Sequence, residues 1–290
     1  MRFSNIGQQL RAYRLESGLR AEEIAARLGV SRAALYRYEK GEVIKLDTVQ
    51  RMAELLKISP LSLLGIGVEY YHRAAGYFER VRQAEESADQ LLQVNGALSY
   101  LVTSDAYDHA VAQAFEEAAA ASGDRAGHRA AADQVAGIQA ARKRAYAQRR
   151  PGIICMISAA RVQHLLAGGI AGALALSERT RQICRQVAAA EVARIADLME
   201  AEPMGLQFGL LPAGEPNAGF EIHRARDRAT IAINPFRPDA PPANAAGVAM
   251  LTAADDAIAV HQRVAETHWR EALKGAAGAA ELRELVAAAS

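Results

Sequence analysis

Residues 21–41 read AEEIAARLGVSRAALYRYEKG. Their spacing predicts two short helices joined by a tight turn. Glu22 and Glu23 stand in the first turn of the first helix, where carboxylates favour the positive end of the helix dipole. Ile24, Ala25 and Leu28 recur at helical spacing and form its inward face. Ala25 is small enough to let the second helix cross closely. Gly29 suits a left-handed C-cap, Val30 plugs the turn into the core, and Ser31 is a good N-cap for a helix over 32–40. Leu35 and Tyr38 face inward on that helix, which leaves Arg32, Ala33, Tyr36 and Arg37 on its outer side.

The flanks agree. Residues 6–17 form an amphipathic helix with Ile6, Leu10, Tyr13 and Arg14 on the core side, stopped by Gly18. Residues 47–57 form another, capped by Asp47, with Val49, Met52, Ala53 and Leu56 as its apolar face. Ser59 and Pro60 open a last short helix that ends at Leu64-Gly65. The expectation is a five-helix unit over residues 1–65 built around a helix-turn-helix. That unit carries eleven Lys and Arg against seven Asp and Glu, a net of +4, while the remainder carries a net of −3. A basic unit on a slightly acidic body is what attraction to phosphates requires. On the outer side of the second helix, Arg32 and Arg37 can fork to guanine O6 and N7. Ala33 can touch a thymine methyl, and Tyr36 can reach a phosphate or a base edge.

Residues 7–65 resemble the Cro/C1-type, or XRE-family, helix-turn-helix domain of phage repressors and bacterial regulators. The matching residues are Leu10, Arg14, Gly18, Ile24, Ala25, Leu28, Gly29, Val30, Ser31, Tyr38, Glu39, Gly41, Leu56 and Pro60. The resemblance implies a double-stranded DNA operator as partner. It also implies a pair between Arg14 and Glu39 that ties the first helix to the end of the recognition helix. One departure matters: the family often has Gln where this chain has Ala21, and there it braces the recognition helix and touches phosphate. Ala21 can do neither, so phosphate contacts are expected from Arg11, Arg20, Lys40 and Lys45.

The whole chain has 290 residues, 51% hydrophobic and 23% charged, which is room for this head and a larger body. Alanine supplies much of the apolar fraction, so helices should dominate. No apolar run approaches the roughly 20 residues a membrane span needs. The start, MRFSNIGQQLR, has no signal-peptide core, and two cysteines make no disulfide framework. These features point to a cytoplasmic protein. Residues 66–94 are expected to connect head and body as one long helix over 68–93, with Tyr71, Phe78, Val81, Ala88 and Leu92 along one side. That stripe either packs on its own domain or forms a dimer seam, since one helix-turn-helix contacts few base pairs.

Residues 95–150 should form a helical layer. Its last helix, over 128–149, ends in a basic cluster of Arg142, Lys143, Arg144, Arg149 and Arg150. The cluster reads as a solvated helix end favoured by the dipole, with contact to DNA or an anion as the alternative. An α+β unit follows over 151–290: a buried strand at 152–158, helices at 159–167 and 178–200, and strands at 205–212, 218–225 and 228–234 in an antiparallel meander. A proline-rich loop (235–244), a strand near 247–252 and helices at 253–275 and 279–288 complete it. The expected fold is therefore mainly α, a five-helix head before a larger helical plus α+β domain with a small antiparallel sheet. The order of elements over 95–285 loosely resembles the regulatory or sensor domain found behind such heads, which implies a sensed signal.

No catalytic set stands out. Ser158 lacks the glycines of a nucleophile elbow, and Gly168 to Gly172 is not followed by the residues of a phosphate loop. His261 and His268 are seven residues apart, too far for a helical metal pair, so no metal or cofactor is expected. Cys184 lies among Arg179, Arg181 and Arg185, which could lower its pKa and open a minor redox role. One stretch reads as a binding site. Arg224, Arg226, Arg228 and Arg237 surround a small sheet beside Phe220 and Phe236, and arginines beside aromatics suit an anionic or carboxylate-bearing molecule. The opposing reading is a solvated sheet face with both phenylalanines in the core. The expectation is a homodimeric transcription regulator, such as a repressor, with a small-molecule effector and no enzymatic activity. The alternatives are a phage-repressor or antitoxin-like protein with a protein-interaction body, and an enzyme that uses the head only to dock on DNA.

Overall fold

Local signals place the first five helices near where the sequence puts them: α1 (Phe3–Ser17), α2 (Ala21–Leu28), α3 (Arg32–Glu39), α4 (Leu46–Leu56) and α5 (Pro60–Leu63). Asp47 does not cap α4 as expected but lies in its first turn, after the N-cap Lys45. Gly29 ends α2 at φ 67°, the left-handed conformation its position requires. The Ser31 hydroxyl accepts the Ala34 N–H at 3.1 Å and starts α3. Leu10, Ile24, Leu35 and Met52 are fully buried between these helices. The structure, a computed structural model, describes residues 3–64, 67–172, 174–212, 219–236, 242 and 247–289.

The next segment departs from expectation. In place of one helix over 68–93 the chain forms β1 (Val68–Tyr71), α6 (Ala74–Ser87) and β2 (Gln90–Gly96). The helical stripe is real only in the middle. Its ends are recruited by strands far along the chain: Tyr70 pairs with Met250, and Leu92 with both Ile154 and Ile222. Nor does α6 present a free seam, because it lies between α1 and α8 (Arg125–Arg149).

The remaining elements are a 3-10 turn (Tyr100–Val102), α7 (Asp105–Ala120), β3 (Gly152–Ser158), α9 (Ala159–Gly168), α10 (Glu178–Ala201), β4 (Leu206–Leu211), β5 (Phe220–Arg224), β6 (Ala229–Ile233), β7 (Ala249–Thr252), α11 (Asp255–Glu271) and α12 (Gly275–Ala289). The fold is mainly helical around one seven-stranded sheet, ordered β1-β7-β6-β5-β2-β3-β4. The sheet is mixed, not antiparallel throughout. β5 and β6 form the expected hairpin, but β4 leaves the meander and pairs in parallel with β3, which itself pairs in parallel with β2. Strands joined through α8 and α10 have helical crossovers, which parallel pairing needs. One sheet face carries Leu91, Ile153 and Phe208 under α9, α10 and α12, and Ala232, Ala249 and Leu251 under α6 and α8. The other face, with Leu92, Met156, Ile222 and Ile231, is covered by α11.

Head and body share a core. Leu10 and Tyr13 of α1 belong to the same buried cluster as Tyr71, Tyr77, Val81 and Leu251. Tyr13 stacks on Tyr71 with ring centroids 5.2 Å apart. Gly76 lets α6 approach α1 closely: a Cβ there would lie 2.6 Å from Glu16 Oε2 and 3.0 Å from Glu16 Cα. The Glu16 carboxylate accepts the backbone N–H groups of His72 and Arg73 at 2.5 and 3.0 Å.

Candidate nucleic-acid interface and a cavity in the body

The inner side of the helix-turn-helix fixes its outer side. Leu35 is buried on α3, while Tyr38 is half-buried against the same core. Arg14 Nε meets Glu39 Oε1 at 2.5 Å and its NH2 meets Oε2 at 3.1 Å, the pair that the family resemblance implies. Burial opposes the charge on Arg14, but Glu39 outweighs it and raises the guanidinium pKa. Ala21 is buried at the start of α2. With its frame held in this way, α3 turns Arg32, Ala33 and Arg37 to solvent, with the two arginine side chains 59% and 58% exposed. Tyr36 is half-buried beside them, its ring 5.3 Å from the Arg32 guanidinium and 5.9 Å from that of Arg14.

Each exposed arginine is paired with an exposed carboxylate, and Arg32 also donates to the Tyr36 hydroxyl at 3.3 Å. Arg32 meets Glu22 at 2.7 Å and Arg37 meets Glu42 at 3.0 Å. Such pairs are weak and exchangeable. Of the expected phosphate ligands, Arg20, Lys40 and Lys45 are exposed around this face. Arg11 instead points to the body, where it meets the buried Glu79 at 2.8 Å.

The body encloses a cavity of about 1060 Å³. It opens at the carboxyl ends of the parallel strands β2 and β3, between α6 and α8 on one side and α9 on the other, with α7 above. The binding-site residues read from the sequence divide here. Phe220 and Phe236 line the cavity. Arg224, Arg226 and Arg228 do not: they sit at the far end of the β5–β6 hairpin, where Arg224 bonds Gln90 at 2.7 Å and Arg228 bonds Ser87 at 3.3 Å. The reason is strand length, since five residues of β5 carry Phe220 and Arg224 to opposite ends. Arg237 lies outside the described residues.

Arg129 and Arg161 line the cavity as exposed residues. The arginine buried beside it is Arg142, from the cluster read as a solvated helix end. It is 4% exposed and grips Glu85 through Nε at 2.8 Å and NH2 at 2.6 Å. Its NH1 donates to Gln139 at 2.6 Å, and its guanidinium lies 5.5 and 5.4 Å from the Phe78 and Tyr100 rings. Beside it stand Glu221, Gln93 and His223, with His223 Nε2 2.9 Å from Glu221 Oε2. Burial raises the Glu221 carboxyl pKa, but His223, Arg142 and Gln93 outweigh it and hold it below the ordinary value. Gln93 Oε1 and His223 Nδ1 are buried without a hydrogen-bond partner among the described residues. Such an orphan costs about 1–3 kcal/mol. The sequence held a signal for Arg142, because it continues the buried stripe Val135, Ile138 at helical spacing.

Cys184 is buried, and burial raises its thiol pKa. The neighbouring arginines do not lower it, because Arg181 and Arg185 turn to Glu178. Cys155, at the cavity wall, is pushed up further by burial. No described helix is long and apolar enough to cross a membrane.

Residues 5–63 match a family model described as a helix-turn-helix domain. The N-terminal unit of this chain is therefore a helix-turn-helix domain. No curated protein matches the chain. Among solved structures it is similar to TrmBL2, an archaeal chromatin protein whose structure shows a novel mode of DNA binding. Identity is 10% and the TM-score 0.36, over 79% of this chain and 62% of that one. This chain thus spans less than two thirds of that protein, and a likeness so distant carries no argument about the body.

Proposed function

We propose that this protein is a transcription regulator of the XRE type, whose helix-turn-helix reads a double-stranded operator through the major groove. The observation that carries the reading is the outer side of α3. Arg32, Ala33 and Arg37 are exposed together on a short helix whose other side is locked by Leu35 and the Arg14–Glu39 pair. Arg32 and Arg37 are the base readers with Ala33 and Tyr36 beside them, while Arg20, Lys40 and Lys45 take phosphates. The protein acts as a homodimer, which doubles the reach to two half-sites about one helical turn apart. The body binds a small-molecule effector and is not an enzyme. Its route to the head is the α1–α6 contact at Glu16 and Gly76. An effector shifts DNA binding only so far as it prefers one arrangement of that contact.

The test begins with selection of a bound sequence from random duplexes. Fluorescence anisotropy on the selected duplex at several salt concentrations then measures specificity and the salt slope. Affinity that depends on sequence and falls steeply with salt supports the reading. Equal, weak binding to every duplex overturns it. Light scattering of the complex decides between one and two chains per operator.

A further inference from the structure

The cavity reverses the charge that the sequence suggests for its ligand. Its floor is a row of residues facing one another across neighbouring strands, Ala232, Glu221, Gln93 and Cys155. Two of the four are hydrogen-bond acceptors. Gln93 gives its amide to Glu221, which leaves its Oε1 without a partner among the described residues. The Glu221 side chain is 24% exposed, and it faces the cavity. A carboxylate offers about four acceptor positions, more than His223 and Gln93 fill. The Nδ1 of His223 is likewise buried without a hydrogen-bond partner among the described residues.

The buried cation beside these acceptors is Arg142, while the other arginines that line the cavity, Arg129 and Arg161, are exposed. Arg142 is committed to Glu85 and Gln139, and it lies between two aromatic rings. An anionic ligand at this floor would meet Glu221, and Arg142 could take it there only by loosening its buried pair with Glu85. Glu85, Glu221 and His223 bring ligand atoms within 4.8 Å of one another, as a metal site would. Both oxygens of Glu85 are held by Arg142, however, so a metal would need to displace a buried guanidinium. The wall beside the floor is aromatic, with Tyr77 5.7 Å and Phe78 6.4 Å from Phe236 between ring centroids. Aromatic faces and a carboxylate together attract organic cations.

We infer that this cavity binds an organic ammonium compound with an apolar or aromatic body. Glu221 and Gln93 Oε1 take its N–H donors, and Tyr77, Phe78 and Phe236 hold its body. The position, at the carboxyl ends of β2 and β3 where the sheet changes from antiparallel to parallel, is where open sheets with helical crossovers bind ligands. The inference rests on the proposal that the body senses a small molecule, and it names that molecule's class.

Isothermal titration of the full chain with three matched probes tests it: tryptamine, the neutral indole-3-propionamide and the anionic indole-3-propionate. The expected order is tryptamine first, at least tenfold tighter than indole-3-propionate, with Glu221→Gln erasing that preference. Indole-3-propionate binding as tightly as tryptamine overturns the inference, as does an unchanged preference in a folded Glu221→Gln protein. Absence of heat with all three probes also overturns it, and so does Zn²⁺ binding without tryptamine binding. If Glu221→Gln does not fold, the order of the three probes on the unaltered protein decides, together with weaker tryptamine binding by Phe236→Leu. Operator binding is measured in parallel. Operator binding without tryptamine binding removes this inference and leaves the regulator reading, and the converse result does the opposite.

Discussion

Arginine plays two opposite parts in this molecule. On α3, Arg32 and Arg37 stand more than half exposed, each beside a carboxylate that is itself exposed. In the body, Arg80 and Arg142 lie inside, each gripped by both oxygens of one buried glutamate, Glu69 and Glu85. The exposed pairs can be exchanged for phosphate or guanine at little cost. The buried pairs cannot be exchanged, because removing one partner strands a charge in a medium that solvates it poorly. The difference teaches that burial, not residue type, separates arginines that recognise from arginines that hold.

The largest effect expected from this contrast is on stability. Arg142→Leu leaves Glu85 buried and unpaired and should cost about 3–5 kcal/mol. Urea unfolding reads this as a lower midpoint at unchanged slope. Replacing both partners, Arg142→Leu with Glu85→Leu, should restore most of the loss. If the single variant unfolds at the same midpoint as the unaltered protein, the division between holding and recognising arginines fails. Arg37→Ala tests the other side. It should weaken operator binding by about 1–3 kcal/mol if Arg37 reads a base, and move stability by less than about 0.5 kcal/mol. A loss that is equal on every duplex would make Arg37 a phosphate contact instead.

The same contrast explains what could be read from the sequence. The head was legible because its signals are local. Ser31 caps within three residues, Gly29 turns the chain in place, and Ile24, Ala25, Leu28 and Leu35 repeat at the helical period. The head-to-body connection was not. VEYY at 68–71 is too short to declare a strand, and β2 becomes one only because β3 and β5, from far along the chain, supply its hydrogen bonds. The cavity was half legible. Phe220 and Phe236 were found by composition, but the arginines near them in sequence lie at the other end of a hairpin. The polar part of the floor comes from β2 and β5, with Arg142 of α8 beside it, and only the sheet register brings Gln93 beside Glu221.

Glu79 sits between the two classes, buried itself yet held by Arg82 and by the half-exposed Arg11. Burial raises its carboxyl pKa, but hydrogen bonds and charge from Arg82, with the charge of Arg11, outweigh this and leave it below the ordinary 4.5. The unfolded chain then binds the proton more readily than the folded one. The stabilisation is present above about pH 4.5 and is lost as pH falls through the lower folded value. Glu79→Gln should cost about 1–2 kcal/mol at neutral pH. That difference should shrink below pH 4.5, as read by thermal unfolding across a pH series. Burial shifts Glu16, across the same α1–α6 contact, the other way, so the difference between unaltered protein and variant is the quantity to follow. A difference independent of pH would mean that Glu79 contributes packing rather than charge.

The smallest effect should come from Glu22→Gln, and its sign is the most informative. Arg32 and Glu22 meet at 2.7 Å with both side chains more than half exposed, so the pair adds little to the fold and the melting temperature should not move measurably. On the operator, a carboxylate beside the recognition helix repels phosphate and competes for Arg32. Its removal should therefore tighten binding, roughly two- to fivefold at low salt and less at high salt, where screening already weakens the repulsion. Weaker binding by Glu22→Gln would carry the opposite message. It would mean that Glu22 aims the Arg32 guanidinium at its base, as Glu39 holds Arg14 in the frame, and that even an exposed pair on this face is part of how the head reads DNA.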